Sequence, residues 1–206
     1  MNADFIPLIQ SRLRSPLPGH QSHRQVMDHR RSVNSVDIEG LKPRRSAVLL
    51  HFYLNAEELQ LCYIERPKYK GVHSGQISFP GGKVEEQDAS LLHTAIREAN
   101  EEVNISIKDA EVIGALSEIY IPPSNFLVQP YISFQKDRPD FVPQLREVHQ
   151  IIEMPLRDLM NQELRSFEIP REGGKLEVKG YSVGGRVLWG ATAMITKELI
   201  DIYSEL

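Results

Sequence analysis

Apolar and polar positions along this chain follow two different periods, and each change of period marks a new element. In DFIPLIQSRLR (4–14) the apolar residues recur three and four apart, which predicts a short amphipathic helix. Residues 15–45 are rich in Pro, Gly, Ser, His and Arg and read as irregular. AVLLHFYL (47–54) is an apolar run of strand length, and Asn55-Ala56-Glu57 supplies a turn. LQLCYIER (59–66) alternates as the hairpin partner. After a loop from Pro67 to Ser74, GQISFPGG (75–82) reads as a short strand ending in a tight turn.

The strongest helical pattern runs from Asp88 to Val103. At about 100° per residue, Leu92, Ala95, Ile96, Ala99 and Val103 form one stripe that can pack on a sheet. Strands are expected at 110–120 and 126–135, separated by Pro122-Pro123-Ser124-Asn125. Residues 147–161 read as a strand and, after Pro155, a helix. Further strands are expected at 165–170, 175–183 and 186–190, and a closing helix at 191–206. The order suggests a mixed sheet with helices on its faces, without the regular strand–helix alternation of a doubly wound fold. No internal repeat or low-complexity tract interrupts it.

The 206 residues suffice for one domain with a sizeable core and an extra arm. We divide the chain into an N-terminal arm, 1–45, and a main domain, 46–206. No run approaches the roughly 18 apolar residues of a membrane span, and the N-terminus lacks the pattern of a secretory signal. The single cysteine, Cys62, excludes an internal disulfide and fits a reducing, cytoplasmic setting. The net charge of −4 conceals an asymmetry. Residues 1–45 hold eight Lys/Arg against four Asp/Glu, so the remainder stands at 16 against 24, or −8. Such an arm suits an anionic substrate, a nucleic acid or another subunit, or is simply solvated and packed on the body.

Six acids crowd the stretch from Phe79 to Ile105: Glu85, Glu86, Asp88, Glu98, Glu101 and Glu102. On the predicted helix, Glu98, Glu101 and Glu102 share a face away from the apolar stripe, and Arg97 lies four before Glu101, within pairing reach. Like charges at this spacing repel, unless a hard divalent cation turns repulsion into coordination. Glu-rich helices are common without any metal. The flank adds weight to the metal reading. Phe79-Pro80-Gly81-Gly82 joins a fixed dihedral to two permissive ones, which lets backbone approach a ligand closely.

With Gly82 as its first residue and Arg97-Glu98-Ala99-Asn100-Glu101-Glu102-Val103 with Ile105 as its close, this stretch resembles the Nudix hydrolase box. Asp88 stands where that box has Glu, the interval to Arg97 is one residue longer, and Asn104 replaces a terminal Gly. Asn tolerates the left-handed C-cap, and Asp88 is suited to an N-cap. The Asp, the extra residue, Thr94-Ala95, and an upstream Gly75 with Phe79–Gly82 resemble the coenzyme A pyrophosphatase branch. Arg66 matches that branch's first Arg, whereas Pro67 and Gly71 depart from it; Gly71 occupies the place of a second Arg, with Lys70 beside it. Glu147-Val148, Met154-Pro155-Leu156 and Leu188–Ala193 resemble its later segments.

The resemblance implies an α/β/α sandwich with a mixed sheet and a loop–helix–loop box. It also implies Mg²⁺- or Mn²⁺-dependent cleavage of a nucleoside diphosphate linked to another group. Coenzyme A or a derivative is the expected substrate. The implied metal ligands are Glu98, Glu101, Glu102 and the Gly82 carbonyl, with Arg97 orienting a glutamate. Glu147 is the first candidate for general base and Glu118 the second. Arg66, Lys68, Tyr69, Lys70, Gly81 and Gly82 are the expected substrate contacts. Trp189 is expected in the core, where it packs the last helix. The partner is a small-molecule diphosphate rather than nucleic acid or membrane, and a homodimer is compatible. Two alternatives stay open: the same chemistry on ADP-ribose, a dinucleoside polyphosphate or a nucleotide sugar, and a non-catalytic nucleotide-binding regulatory module. The presence of all three glutamates argues against the latter.

Overall fold

The computed structural model describes residues 4–27, 40–67, 75–171 and 174–206. Its centre is the long strand β1 (Arg44–Asn55), hairpinned to β2 (Glu58–Glu65). Two short strands follow, β3 (Ile77–Ser78) and β4 (Gly81–Lys83), where one had been expected; the intervening Phe79-Pro80 breaks the ladder. Helix α3 spans Leu91–Val103. The next segment divides into β5 (Glu111–Ala115) and β6 (Ile119–Ile121), and a 3₁₀ turn over Pro122–Ser124 leads into β7 (Phe126–Gln135). Strand β8 (Gln150–Pro155) runs directly into α4 (Leu156–Met160). The chain continues through β9 (Arg165–Arg171), β10 (Gly174–Val183) and β11 (Arg186–Trp189), and then α5 (Gly190–Ser204).

Among the described residues, eight strands make the main sheet, with the order β3-β2-β1-β7-β5 along its main path. β4 also pairs with β1, β6 with β7, and β8 with β2. β1 and β7 are parallel from Arg44↔Phe126 to Tyr53↔Gln135, and the other pairs are antiparallel. Strands β9–β11 form a separate three-stranded sheet. The mixed sheet expected from the sequence is therefore present.

The period-two pattern of β1 decides which layer packs where. Ala47 and Leu49 face one way, into a cluster with Ala95, Ala99, Val103 and Ile105 of α3 and the residues that follow it. Leu50 and Phe52 face the other way, into a larger cluster with Leu199 and Ile202 of α5. The sheet is thus covered on both faces.

The N-terminal segment differs from expectation. Helix α1 (Phe5–Arg12) forms as predicted, but His20–Val26 is a second helix, α2, inside the stretch read as irregular. Its polar sequence hides it, because the partners that stabilise it are distant. The buried His23 Nε2 lies 3.0 Å from Glu198 Oε2, and the Gly19 amide donates to Glu198 Oε1 at 3.2 Å. Phe5, Ile6 and Ile9 of α1 and Val26 of α2 join the larger core cluster.

Candidate active site

The site begins at the turn before α3. Gly81 pairs with Val48 and Gly82 with Ala47, so β4 lies flat on the start of β1. Gly81 has φ 152°, and a Cβ there would run into the carbonyl of Ala47 and lie 2.6 Å from Val48 Cα. Both obstacles are backbone, so only glycine fits. The Gly81 amide is left pointing at α3, where it donates to Glu102 Oε2 at 2.9 Å. A Cβ on Gly82 would strike the carboxylate of Glu98.

Helix α3 starts three residues later than the pattern suggested. Ser90, not Asp88, is its N-cap, and its Oγ accepts from the His93 amide at 3.1 Å. Asn104 ends the helix in the left-handed region (φ 62°, ψ 35°), as its type allows. The sheet-facing side is also rotated. Thr94, Ala95, Ala99, Glu102 and Val103 are buried, while Leu92 and Ile96 are only half-buried. The rotation carries Glu102 inward among small residues, beside the turn.

Asp88 is freed from capping and does something else. Its fully enclosed carboxylate accepts from Arg97 Nε at 2.9 Å and Nη2 at 3.0 Å, from Thr94 Oγ1 at 2.9 Å and from the Glu85 amide at 2.9 Å. The Arg97 hydrogen bonds hold this carboxyl well below its ordinary pKa, against the effect of burial. Arg97 also reaches the Lys83 carbonyl at 3.1 Å, Glu98 Oε1 at 3.2 Å and Glu101 Oε2 at 3.1 Å. One guanidinium thus ties strand, loop and helix together. Its bidentate partner is Asp88 rather than one of the glutamates.

A third segment closes the site. The chain after β7 is bonded to the end of α3: the Gln144 amide donates to the Glu102 carbonyl at 2.9 Å, and Asn104 Nδ2 to the Asp140 carbonyl at 2.9 Å. Val148 is buried, and the His149 amide donates to the Glu65 carbonyl at 2.8 Å. Glu147 therefore hangs over α3, and one oxygen each from Glu98, Glu102 and Glu147 lie within 4.8 Å of one another.

Three carboxylates this close are under-compensated. Glu102 is 1% exposed. Burial pushes its pKa up to about 7, opposed by Arg66 and the Gly81 amide and helped by Glu98 and Glu147. Burial also raises that of Glu98, opposed by Arg97. The Arg66 guanidinium stays 3.7 Å from Glu102 Oε1 and donates to the Gly81 carbonyl at 3.4 Å. An all-oxygen donor set with surplus negative charge fits a hard divalent cation such as Mg²⁺ or Mn²⁺.

The expected site residues do not all converge. Glu98, Glu102, Glu147, Arg66, Gly81 and Gly82 lie together, with Arg97 behind them. Glu101 stands outside the three-oxygen cluster: it is exposed and paired with Arg97. Glu118, the second candidate base, is engaged by Arg45. Lys68, Tyr69 and Lys70, like Gly71, fall outside the described residues.

The cluster opens on a cleft of about 2380 Å³, larger than the roughly 300–1,000 Å³ of an ordinary small-ligand pocket. Its walls include residues the sequence pattern did not single out: Met27 after α2, Phe126 at the start of β7, and Lys179 and Arg186 of the three-stranded sheet. Trp189, expected in the core, lines this cleft half-buried instead. The half-polar alternation of β10 was the one available signal, since it left apolar residues without an obvious partner. Cys62 is buried and its thiol pKa is raised, by desolvation first, surroundings that disfavour the reactive thiolate.

Comparison with known proteins agrees with this geometry. Residues 42–171 match the NUDIX domain model. The chain is 33% identical over 157 residues to an uncharacterized Nudix hydrolase, NudL, of Yersinia pestis, covering 76% of this chain and 78% of the relative. Among solved structures it resembles the Nudix hydrolase RenU of M. smegmatis, with TM-score 0.56, 13% identity, and 80% and 88% of the two chains covered. It also resembles the MutT protein of Methanosarcina mazei Go1, with TM-score 0.51, 17% identity, and 79% and 96% covered. The last two likenesses concern the fold alone. Among the described residues no helix is long and apolar enough to cross a membrane.

Proposed function

The chain belongs to the Nudix hydrolase family and is a pyrophosphohydrolase, and we propose that its substrate is coenzyme A or a derivative, cut to 3′,5′-ADP and (acyl-)phosphopantetheine. The observation that carries this reading is the position of Arg66. The strand-end arginine of the coenzyme A branch signature lies against the Gly81 carbonyl and Glu102. There it can hold a substrate phosphate beside the carboxylates.

Each residue has a separate task. Glu98 and Glu102 would hold the divalent cation, with the Gly82 carbonyl as a further donor. When bound, Mg²⁺ or Mn²⁺ supplies Lewis acidity at the diphosphate and lowers the pKa of water. Glu147 is exposed on its turn, so it can orient the attacking water and accept its proton. Arg97 acts through Asp88 and the helix rather than on substrate. Arg66 offsets phosphate charge as the diphosphate approaches three acids.

The same chemistry on ADP-ribose, a dinucleoside polyphosphate or a nucleotide sugar is a second reading. It is favoured by Gly71, which replaces the second arginine of the coenzyme A signature. A substrate panel with Mg²⁺ and then Mn²⁺ separates the two: coenzyme A, acetyl-coenzyme A, ADP-ribose, NADH and a diadenosine polyphosphate, with products read by chromatography. Selective release of 3′,5′-ADP from coenzyme A is the expected result. Turnover of another diphosphate alone would sink the coenzyme A assignment and leave the hydrolase intact.

A further inference from the structure

The cleft does not end at the carboxylates. Helix α3 covers one face of the main sheet, whereas α2 and α5 pack on the other, yet residues from both sides line the same cleft. It therefore runs from Glu98 and Glu102 around the end of the sheet, past Ser46 and Phe126, to the end of α2 and the three-stranded sheet. Beside Ile169 and Pro170 of β9, its far part draws on elements outside the family-matched segment 42–171. These are Val26 and Met27 from the N-terminal segment, and Val178, Lys179 and Trp189 from β10 and β11.

Those two elements are clasped together. Lys179 Nζ donates to the Gln25 carbonyl at 3.3 Å. Behind the clasp, α2 is anchored on α5. The wholly buried Glu198 receives the Gly19 and Ser117 amides, each at 3.2 Å, and meets His23, while Ser22 Oγ donates to Asp201 Oδ2 at 2.6 Å. A helix of seven residues is not stable by itself, so this anchoring holds Met27 in the cleft wall. The lining there is mainly apolar, with the opposite charges of Glu177 and Lys179 among it, unlike the acidic end.

We propose that the end of α2 and strand β10 form a subsite for the non-nucleotide arm of the substrate, an elongated, uncharged chain with apolar surface, and that Met27 is a specificity-determining residue for it. The proposal rests on the diphosphate hydrolase reading above. Continuity of the cleft identifies the occupant: a diphosphate held at Glu98 and Glu102 sends one of its two substituents along this wall. The N-terminal segment thereby takes part in substrate choice.

The test compares a long and a short substrate, coenzyme A and the methyl ester of ADP, in wild type and in Met27→Asp. The ratio of their kcat/KM values should fall by about tenfold or more in the variant, the scale on which a lost apolar contact discriminates. The change should be carried by KM. A purely structural role would lower both substrates together, along with Tm, and would overturn the proposal, as would an unchanged ratio. Met27→Ala serves if the aspartate prevents folding. A second readout does not need turnover. The Met27 methyl NMR signal, assigned with Met27→Leu, should shift with coenzyme A and stay in place with the methyl ester. An equal response to both overturns the subsite. If wild type prefers another long diphosphate, the substrate assignment fails in the wild-type panel, and the wild-type-to-variant comparison is made with that compound.

Discussion

Arg97 grips Asp88 with two hydrogen bonds, from Nε to Oδ1 at 2.9 Å and from Nη2 to Oδ2 at 3.0 Å, and neither group is substantially exposed. Removing Asp88 leaves Arg97 with Glu98, Glu101 and the Lys83 carbonyl, so the loss is that of a part-buried, charge-assisted pair, about 2–3 kcal/mol. For a chain of this size, Asp88→Asn should lower Tm by on the order of 10 °C. Arg97→Lys should also lower Tm, although it keeps the charge, because an ammonium cannot reproduce the fork. The pH dependence follows from the sign. The folded pKa of Asp88 is depressed, so its contribution is present above the unfolded value and is lost as pH falls through the folded one. Thermal melts of wild type and Asp88→Asn should therefore converge in acid. Parallel curves across the acid range would refute this account.

Gly81 and Gly82 should fail differently. At Gly81 an added methyl meets rigid backbone at a positive φ, so Gly81→Ala should destabilise the fold. At Gly82 the methyl meets only the end of the Glu98 side chain, which can swing away. Gly82→Ala should keep its Tm within a few degrees and lose metal affinity and turnover. Calorimetric unfolding and Mn²⁺ titration of the two variants check this pair.

The pKa of Glu102 makes metal binding pH-dependent. With its pKa raised to about 7 from 4.5, the folded metal-free protein keeps a proton between those values that the unfolded chain releases. That contribution to stability is full below the unfolded pKa and is lost as pH rises through about 7. Cation binding requires the carboxylate form. Mn²⁺ affinity should thus climb with pH and level off above 7, about tenfold weaker one unit below. In Glu102→Gln the step near pH 7 should disappear, leaving only the shallower dependence that the raised pKa of Glu98 contributes; an unchanged step near 7 would place the titrating group elsewhere.

Glu147 and Glu101 offer a direct contrast. Glu147 shares the three-oxygen cluster, and Glu101 is turned to Arg97. Glu147→Gln should reduce kcat by about 10²-fold or more, the usual scale of a lost acid–base group. Glu101→Gln should cost much less. Steady-state kinetics on the preferred substrate decide it, and equal losses would mean that Glu101 moves into the cluster when the site is loaded.

Much of the architecture was legible from the chain alone, because it depends on neighbours close in sequence. The apolar run at 47–54, the alternation at 59–66 and the strand expected at 126–135 placed β1, β2 and β7 near their observed limits, and the 3.6-residue pattern found α3. The Phe79–Gly82 turn and the Arg97–Glu102 segment named most of the residues of the candidate site before any fold was known. The tertiary structure decided what depends on distant contacts. Ser90 displaces Asp88 as the cap, because Asp88 is drawn to a guanidinium nine residues on. Glu102 is carried inward, because the sheet selects which side of α3 is buried. α2 forms because Glu198, from the last helix, takes the amide of the N-cap residue Gly19 and meets the His23 ring. Glu147 reaches Glu98 and Glu102 because backbone bonds from residues 140–149 fasten its loop to the end of α3 and to β2. Periodicity records which face of an element is apolar, but it carries no information about which remote group will meet the polar atoms left over.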